Sequence, residues 1–477
     1  MRVLWVCNIM LPAVAAHLQK EENVKEGWLS GMAALLLERR EENGIELSVA
    51  FPVERGMDGF AGVVPVGNGS LSCYGFYEDT SHAERYDRRL EAGMKAILER
   101  ARPDLVHCFG TEYAHTLAMA RVHPAPEKLL VGIQGLCGVY AQAYMADLPQ
   151  EVQNSATLRD LLRRDSLRRQ QRKFAARGRR ETEIMRRAGH VTGRTAWDEY
   201  YAKKWNPGIR YHFLNETLRP EFYKGGWQKA ACEPHRIFLS QGDYPIKGLH
   251  YLLAALPRIA ARFPDVQAVV AGNSPVKASS WRGRLGLSGY GRYLRRLLRE
   301  AQAQDRVAFA GKLSARQMKE QYLRSGLYVC CSAMENSPNS LGEAMILGVP
   351  CVTADVGGIP SLFCGGTDGI SYRGYRDGGI TFYQECEMDQ ESDPMDRQSD
   401  RIGQEPGGSG QEPYGKESPP LAAQAERLAQ AVLEIWSAPE RLAFYSENAR
   451  SHARRIHDRE ANYRTLLGIY ARILGDS

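Results

Sequence analysis

The chain has 477 residues, 43% hydrophobic and 25% charged, with a formal net charge of +6. That is ordinary soluble globular composition with length for about two to three domains, and the mild positive excess suits an anionic substrate or membrane surface without demanding nucleic acid. No apolar run is long enough for a signal peptide or a bilayer span. The ten cysteines lie scattered with no Cys-x-x-Cys pair, which excludes a zinc site or disulfide framework and reads as reduced cytosolic thiols.

Residues 2–7 read as a buried strand. After a long loop, helical spacing of Trp28, Met32, Leu35 and Leu36 predicts a helix beginning near Gly27, and the next strand starts near Gly44. This βαβ opening carries no G-x-G-x-x-G fingerprint, so a classical dinucleotide site is not expected. An amphipathic helix is predicted over 84–101. A strand and polar loop follow over 102–113, containing His107, Phe109 and Glu112. Another strand, 129–134, ends at Gln134.

Residues 159–187 carry about a dozen Arg and Lys at helical spacing. Three readings stand: a solvated helix face, a face for a phospholipid surface or lipid-diphosphate acceptor, and nucleic-acid binding. Few aromatics interleave the charges, which argues against the last. Two short strands near 190 and 211 flank a helix around 197–204, and Arg194 sits just after the first strand.

A second run of alternating strands and helices opens at 236. Its first strand leads through Gln241 to Lys247-Gly248 and a helix over 249–263. A lysine at a strand-to-helix turn is a good phosphate ligand. Further strands are predicted over 266–271 and 306–310, with a helix over 317–325. Residues 384–420 read as an acidic flexible insertion. Helices resume at 428–436 and 439–452. The last helix, 458–474, lines up Tyr463, Leu466, Leu467, Tyr470 and Ile473.

The most informative stretch is 328–360. A strand over 327–331 leads into a polar turn, then a helix from about Leu341 stopped by Gly348-Val-Pro, then a strand over 351–354. The turn and the helix start lie at the C-terminal edge of a parallel unit, where open α/β sheets bind ligands. Asn339, Ser340 and Leu341 would offer backbone N–H groups to an anion. Glu335 and Glu343 flank them, so a nucleotide sugar would suit the site. Two solvated glutamates on an N-capped helix are the alternative.

Glu335-Asn-Ser-Pro-Asn-Ser-Leu-Gly-Glu343, followed by Ala-Met and Gly348-Val-Pro, resembles the E-x7-E motif of retaining glycosyltransferases of the GT-B fold, the glycosyltransferase 4 (group 1) family. The resemblance implies two Rossmann-like doubly wound domains facing each other across a cleft. It places an acceptor-binding domain at 1–218, a linker at 219–235 and a nucleotide-sugar domain at 236–454, with a terminal helix at 455–477 crossing back. It assigns Glu335 to the donor sugar, Glu343 to the ribose, and Lys247, Asn339, Ser340 and Leu341 to the diphosphate. Gly27, Gln134 and Arg194 fall on the acceptor side. The chain departs from the family twice. Gln241 stands near a family arginine, and Phe109 stands where many members have a catalytic-region histidine. His107, Glu112 and His115 are the substitutes for that histidine, with Glu335, Glu112 and His107 taken as the catalytic set.

The implied activity is hexosyl transfer with retention from a nucleoside diphosphate sugar to a saccharide or lipid-linked acceptor in surface polysaccharide synthesis. The nucleotide sugar is a co-substrate; no metal, other cofactor or nucleic acid is expected. The expected location is the cytoplasm, with residues 159–187 as a peripheral contact to an anionic membrane. A paired-carboxylate hydrolase fits poorly, since one glutamate lies in a helix beside an anion site. A nucleotide-sugar epimerase, a phosphorylase and a non-catalytic nucleotide-sugar-binding protein remain as alternatives.

Overall fold

The apolar runs near residues 3, 105 and 129 are buried on both sheet faces. Such strands belong to parallel sheets covered by helices on both sides. A computed structural model describes residues 1–20, 27–66, 69–277, 285–375 and 421–475; the segment read as a flexible insertion lies outside them.

The first domain is an eight-stranded sheet of β1 (Arg2–Val6), β2 (Glu46–Val53), β3 (Ala61–Val66), β4 (Gly69–Tyr77), β5 (Leu105–Phe109), β6 (Leu129–Gly132), β7 (His190–Gly193) and β8 (Arg210–Phe213). Its order is β3-β4-β2-β1-β5-β6-β7-β8. All pairs are parallel except β3 with β4, a hairpin added to the edge that the sequence reading did not foresee.

The second sheet contains β9 (Glu233–Leu239), β10 (Gln267–Ala271), β11 (Val307–Gly311), β12 (Ser325–Cys330), β13 (Cys351–Asp355) and β14 (Gly369–Arg373), in the order β11-β10-β9-β12-β13-β14. Strand order reverses between β9 and β12. The loops leaving their C-terminal ends therefore diverge to opposite faces and open a crevice between them. Lys247 follows β9 and Glu335 follows β12, so topology alone brings these two side chains together. Gly248 makes the close approach possible. Its φ is 72°, and a Cβ there would lie 1.8 Å from the Cys331 carbonyl oxygen.

The terminal helix Arg459–Gly475 packs against the first domain. It buries Tyr463, Leu466, Ile469, Tyr470 and Ile473 among Val3, Trp5, Leu29 and Leu36. Trp5 Nε1 donates to Tyr470 Oη at 2.8 Å, which ties the helix to β1.

Several expectations are corrected. The 219–235 segment is a packed strap: Phe222 is buried, Trp227 Nε1 donates to the Ser325 carbonyl at 2.9 Å, and β9 already starts at Glu233. The basic stretch is two helices, Leu158–Leu162 and Leu167–Arg187, broken where Arg164 adopts a φ of 52°. Its charges do not all face water, because buried Arg180 donates to the Arg85 carbonyl at 2.8 Å. Cys364 is disulfide-bonded, against the expectation of ten reduced thiols; eight others are free.

Candidate active site

The helix Asn339–Leu347 is apolar around most of its circumference, with Leu341, Ala344, Met345 and Leu347 buried, so it is fixed as a core element. It begins two residues earlier than expected and ends at Gly348, whose φ of 78° supplies the left-handed cap. Its N-terminus points at the C-terminal edge of the first sheet. Asn339 Nδ2 donates to Glu216 Oε2 at 2.8 Å across the domains.

Lys247 Nζ donates to Glu335 Oε1 at 2.6 Å, and Ser332 Oγ donates to the same oxygen at 2.7 Å. Burial pulls the Lys247 ammonium down, but Glu335 and Tyr244 more than offset this and hold it well above its ordinary value. The lysine is therefore a permanent cation. From the first domain, Tyr140 Oη accepts the Asn336 N–H at 3.0 Å, and Thr195 Oγ1 donates to Asn336 Oδ1 at 2.9 Å. Tyr140 and Tyr244 both feel the charges of Lys247 and Glu335, and Tyr244 also feels Arg177. The Glu335 loop is thus enclosed by both domains, where a low local dielectric strengthens charge interactions.

Glu343 lies deeper. Arg219 Nε and Nη2 both donate to its Oε1, at 2.9 and 2.7 Å, and Tyr322 Oη lies 3.5 Å from Oε2. Burial raises this carboxyl to about 7 despite the opposing pull of Arg219. The Leu341 N–H bonds the Pro338 carbonyl at 2.9 Å, so it is not available to an anion as the sequence suggested. Ser340 is anchored through its hydroxyl, which accepts from Tyr328 Oη at 2.9 Å. Gln241 Nε2 donates to Asp243 Oδ1 at 2.9 Å within its own loop, so its amide is turned to that carboxylate.

His107 is not in the cleft. It is fully buried on β5, its Nδ1 hydrogen-bonded to Tyr470 Oη at 2.8 Å, and burial depresses it to about 3. A ring this hard to protonate, packed beneath the terminal helix, is a core group. His115 is also buried, paired through Nδ1 with Glu78 Oε2 at 2.5 Å. Glu112 remains at the loop after β5, half-buried, with Oε2 unpartnered. Burial raises its carboxyl, while the nearby Arg177 opposes the shift. Phe109 and Gln134 line a pocket with Arg194, Glu216 and Thr217 at the ends of β5 to β8. Gly27 opens the helix Gly27–Glu38.

Sequence reasoning missed Tyr140, Arg177, Asn336 and Arg219. Arg219 carried no signal because its partner lies far along the chain. Asn336 was visible as the residue after Glu335 but not singled out.

Two doubly wound domains facing each other across a cleft, with a terminal helix returning to the first domain, define the GT-B fold. The solved structures agree: sucrose-phosphate synthase from Thermosynechococcus elongatus superposes with a TM-score of 0.64 over all of both chains at 13% identity. HepE from Anabaena in complex with UDP gives 0.57 over 99% of this chain and 100% of its own, also at 13% identity. Residues 228–377 match the family described as Glycosyl transferases group 1, so the chain resembles that family over its second domain, where the E-x7-E motif lies. The gpi3 subunit of phosphatidylinositol N-acetylglucosaminyltransferase from Schizosaccharomyces pombe is 29% identical over 153 residues, 32% of this chain and 30% of that protein. The chain is matched over less than a third of the length of its first curated relatives.

Proposed function

We propose that the protein is a retaining, metal-independent glycosyltransferase that moves a hexosyl unit from a nucleoside diphosphate sugar to a saccharide or lipid-linked acceptor, in surface polysaccharide synthesis. The observation that carries this reading is the Lys247–Glu335 pair at the second sheet's topological switch point, enclosed from the other side by Tyr140 and Thr195. Lys247 and the first-turn amides of Asn339 and Ser340 would neutralise the leaving diphosphate. Glu335 would hold the donor sugar's hydroxyls. Glu343 Oε2, the oxygen that Arg219 leaves open, would take the ribose. Glu112, at the loop after β5, is a further carboxyl on the first domain's side. Support comes from the group 1 match, from a relative named as an N-acetylglucosaminyltransferase subunit, and from a GT-B neighbour solved with UDP.

The experiment is nucleoside diphosphate release from a panel of UDP- and GDP-sugars, with and without lipid-linked acceptor, for the wild type and Glu335→Ala. Release from one donor, raised by acceptor and lost in the variant, is the expected result; the product anomer, read by NMR, checks retention. Nucleotide binding with no release from any donor would instead select the binding-protein reading. Phe109 in the pocket wall favours that second reading, because it offers no proton-transfer group there.

Contact with an anionic membrane belongs to the same reading. Arg163, Arg164, Arg169, Arg172 and Arg179 are exposed, and Leu158, Leu161 and Leu162 are 57%, 64% and 77% exposed beside them. Apolar tips among cations suit an anionic interface. No described helix is long and apolar enough to cross a membrane. Co-sedimentation with anionic vesicles should fall when Arg163, Arg164, Arg169 and Arg172 are changed to glutamate; unchanged binding would remove this part of the proposal.

A further inference from the structure

The donor assigned above carries two adjacent phosphates, and the second domain meets them with little charge. Lys247, ion-paired with Glu335, supplies a single cation at the switch point. Gln241 contributes no charge, and its amide is turned to Asp243. A second cation must come from elsewhere if the leaving diphosphate is to be stabilised.

Arg194 is placed to supply it. It follows β7 in the first domain, is 5% exposed, and is the one cation among the described residues lining the pocket at the ends of β5 to β8. Its Nη1 lies 2.6 Å from Glu216 Oε2. Asn339 Nδ2, at the start of the E-x7-E helix, donates to that same oxygen at 2.8 Å. Two hydrogen bonds through one atom therefore separate the guanidinium from the helix N-terminus where an anion would sit. The other edge of the guanidinium is under-used. Nη2 makes only a 3.4 Å contact to the Gln134 carbonyl, and Nε is buried without a partner. A buried, unpaired N–H is costly, so its persistence calls for an explanation. The Nε and Nη2 donors form the parallel pair that grips a phosphate in bidentate fashion.

We propose that Arg194 reaches across the cleft to bind the donor's diphosphate, replacing the charge that Gln241 does not provide. This moves Arg194 from the acceptor side, where the motif reading put it, to the donor. Diphosphate binding then requires both domains, because one cation stands on each side of the cleft. Closure around the donor is favoured by the phosphates themselves. The inference rests on the transferase reading, and its test separates the two.

The test is calorimetric titration of the full chain with UMP, UDP, GMP and GDP. In the wild type the diphosphate of the accepted base should bind at least about 10-fold more tightly than the monophosphate. Arg194→Gln should reduce that preference by about 10- to 100-fold. Arg194→Lys keeps a charge beside Glu216 but lacks the paired donors, and should lose about 10-fold. Adding Gln241→Arg to Arg194→Gln should restore the preference, which repair of a merely structural defect would not do. A diphosphate preference retained in both Arg194 variants overturns the Arg194 assignment alone. A wild type with no diphosphate preference overturns the transferase reading with it.

Discussion

Lys247→Ala lowers kcat/KM for nucleotide-sugar turnover by about 100- to 1000-fold, the loss expected when a preorganised charge facing a developing anion is removed. The same change destabilises the fold by about 3 kcal/mol, because it leaves the 8%-exposed Glu335 side chain without its cation. These effects are separable. The exchange Lys247→Glu with Glu335→Lys restores an ion pair across the β9–β12 crevice and should recover most of the lost stability. It also puts a carboxylate where the diphosphate leaves, so activity stays lost. Chemical denaturation and initial rates on the three proteins decide the matter. Activity recovered by the exchange would mean that the pair serves the fold alone, and that the leaving group is stabilised elsewhere.

How much of this was legible beforehand follows from the kind of contact involved. Lys247 and the Glu335 to Glu343 segment could be read because each sits in a strand-to-helix turn, a local pattern whose ligand-binding tendency comes from backbone geometry. Their partnership follows from strand order, which a sequence does not print. His107 could not be assigned to a face. β5 is buried at every position, so the two-residue alternation that separates inside from outside in a half-exposed strand is absent. The β3–β4 hairpin was missed because β3 alternates weakly, with one buried position and the rest exposed or half-exposed. The basic stretch looked like one surface because charge count does not reveal direction. Arg177 turns to the Glu112 carbonyl and Arg180 into the core, while Arg172 and Arg179 face water. Arg219 was read as part of a linker because a residue between domains has no periodicity to betray it, yet two of its N–H groups hold Glu343.

That contact gives the second large effect. Arg219→Ala destabilises the protein by about 3 kcal/mol at pH 8.5 and by much less at pH 5.5. The sign follows from the Glu343 carboxyl, which burial raises from 4.5 to about 7. A carboxyl raised in the folded state adds stability below its unfolded value, and that contribution is lost as pH climbs through the folded value. In the wild type the loss runs from about 4.5 to about 7, and Arg219 limits it by lowering the folded value. Without Arg219 the folded value rises further, so the penalty for ionising a buried carboxylate extends into the alkaline range. At pH 5.5 Glu343 is protonated with or without Arg219, and only hydrogen bonds are lost. Glu343→Gln should therefore remove the pH dependence, and Arg219→Ala should cost the same at both pH values in that background. Denaturant midpoints at pH 5.5 and 8.5 for the four proteins test this, and an equal cost of Arg219→Ala at both pH values in the Glu343 protein would refute it. The same titration reaches function. A ribose hydroxyl donates more strongly to a carboxylate than to a carboxylic acid, so nucleotide affinity should rise as pH passes through about 7 and lose that rise in Glu343→Gln.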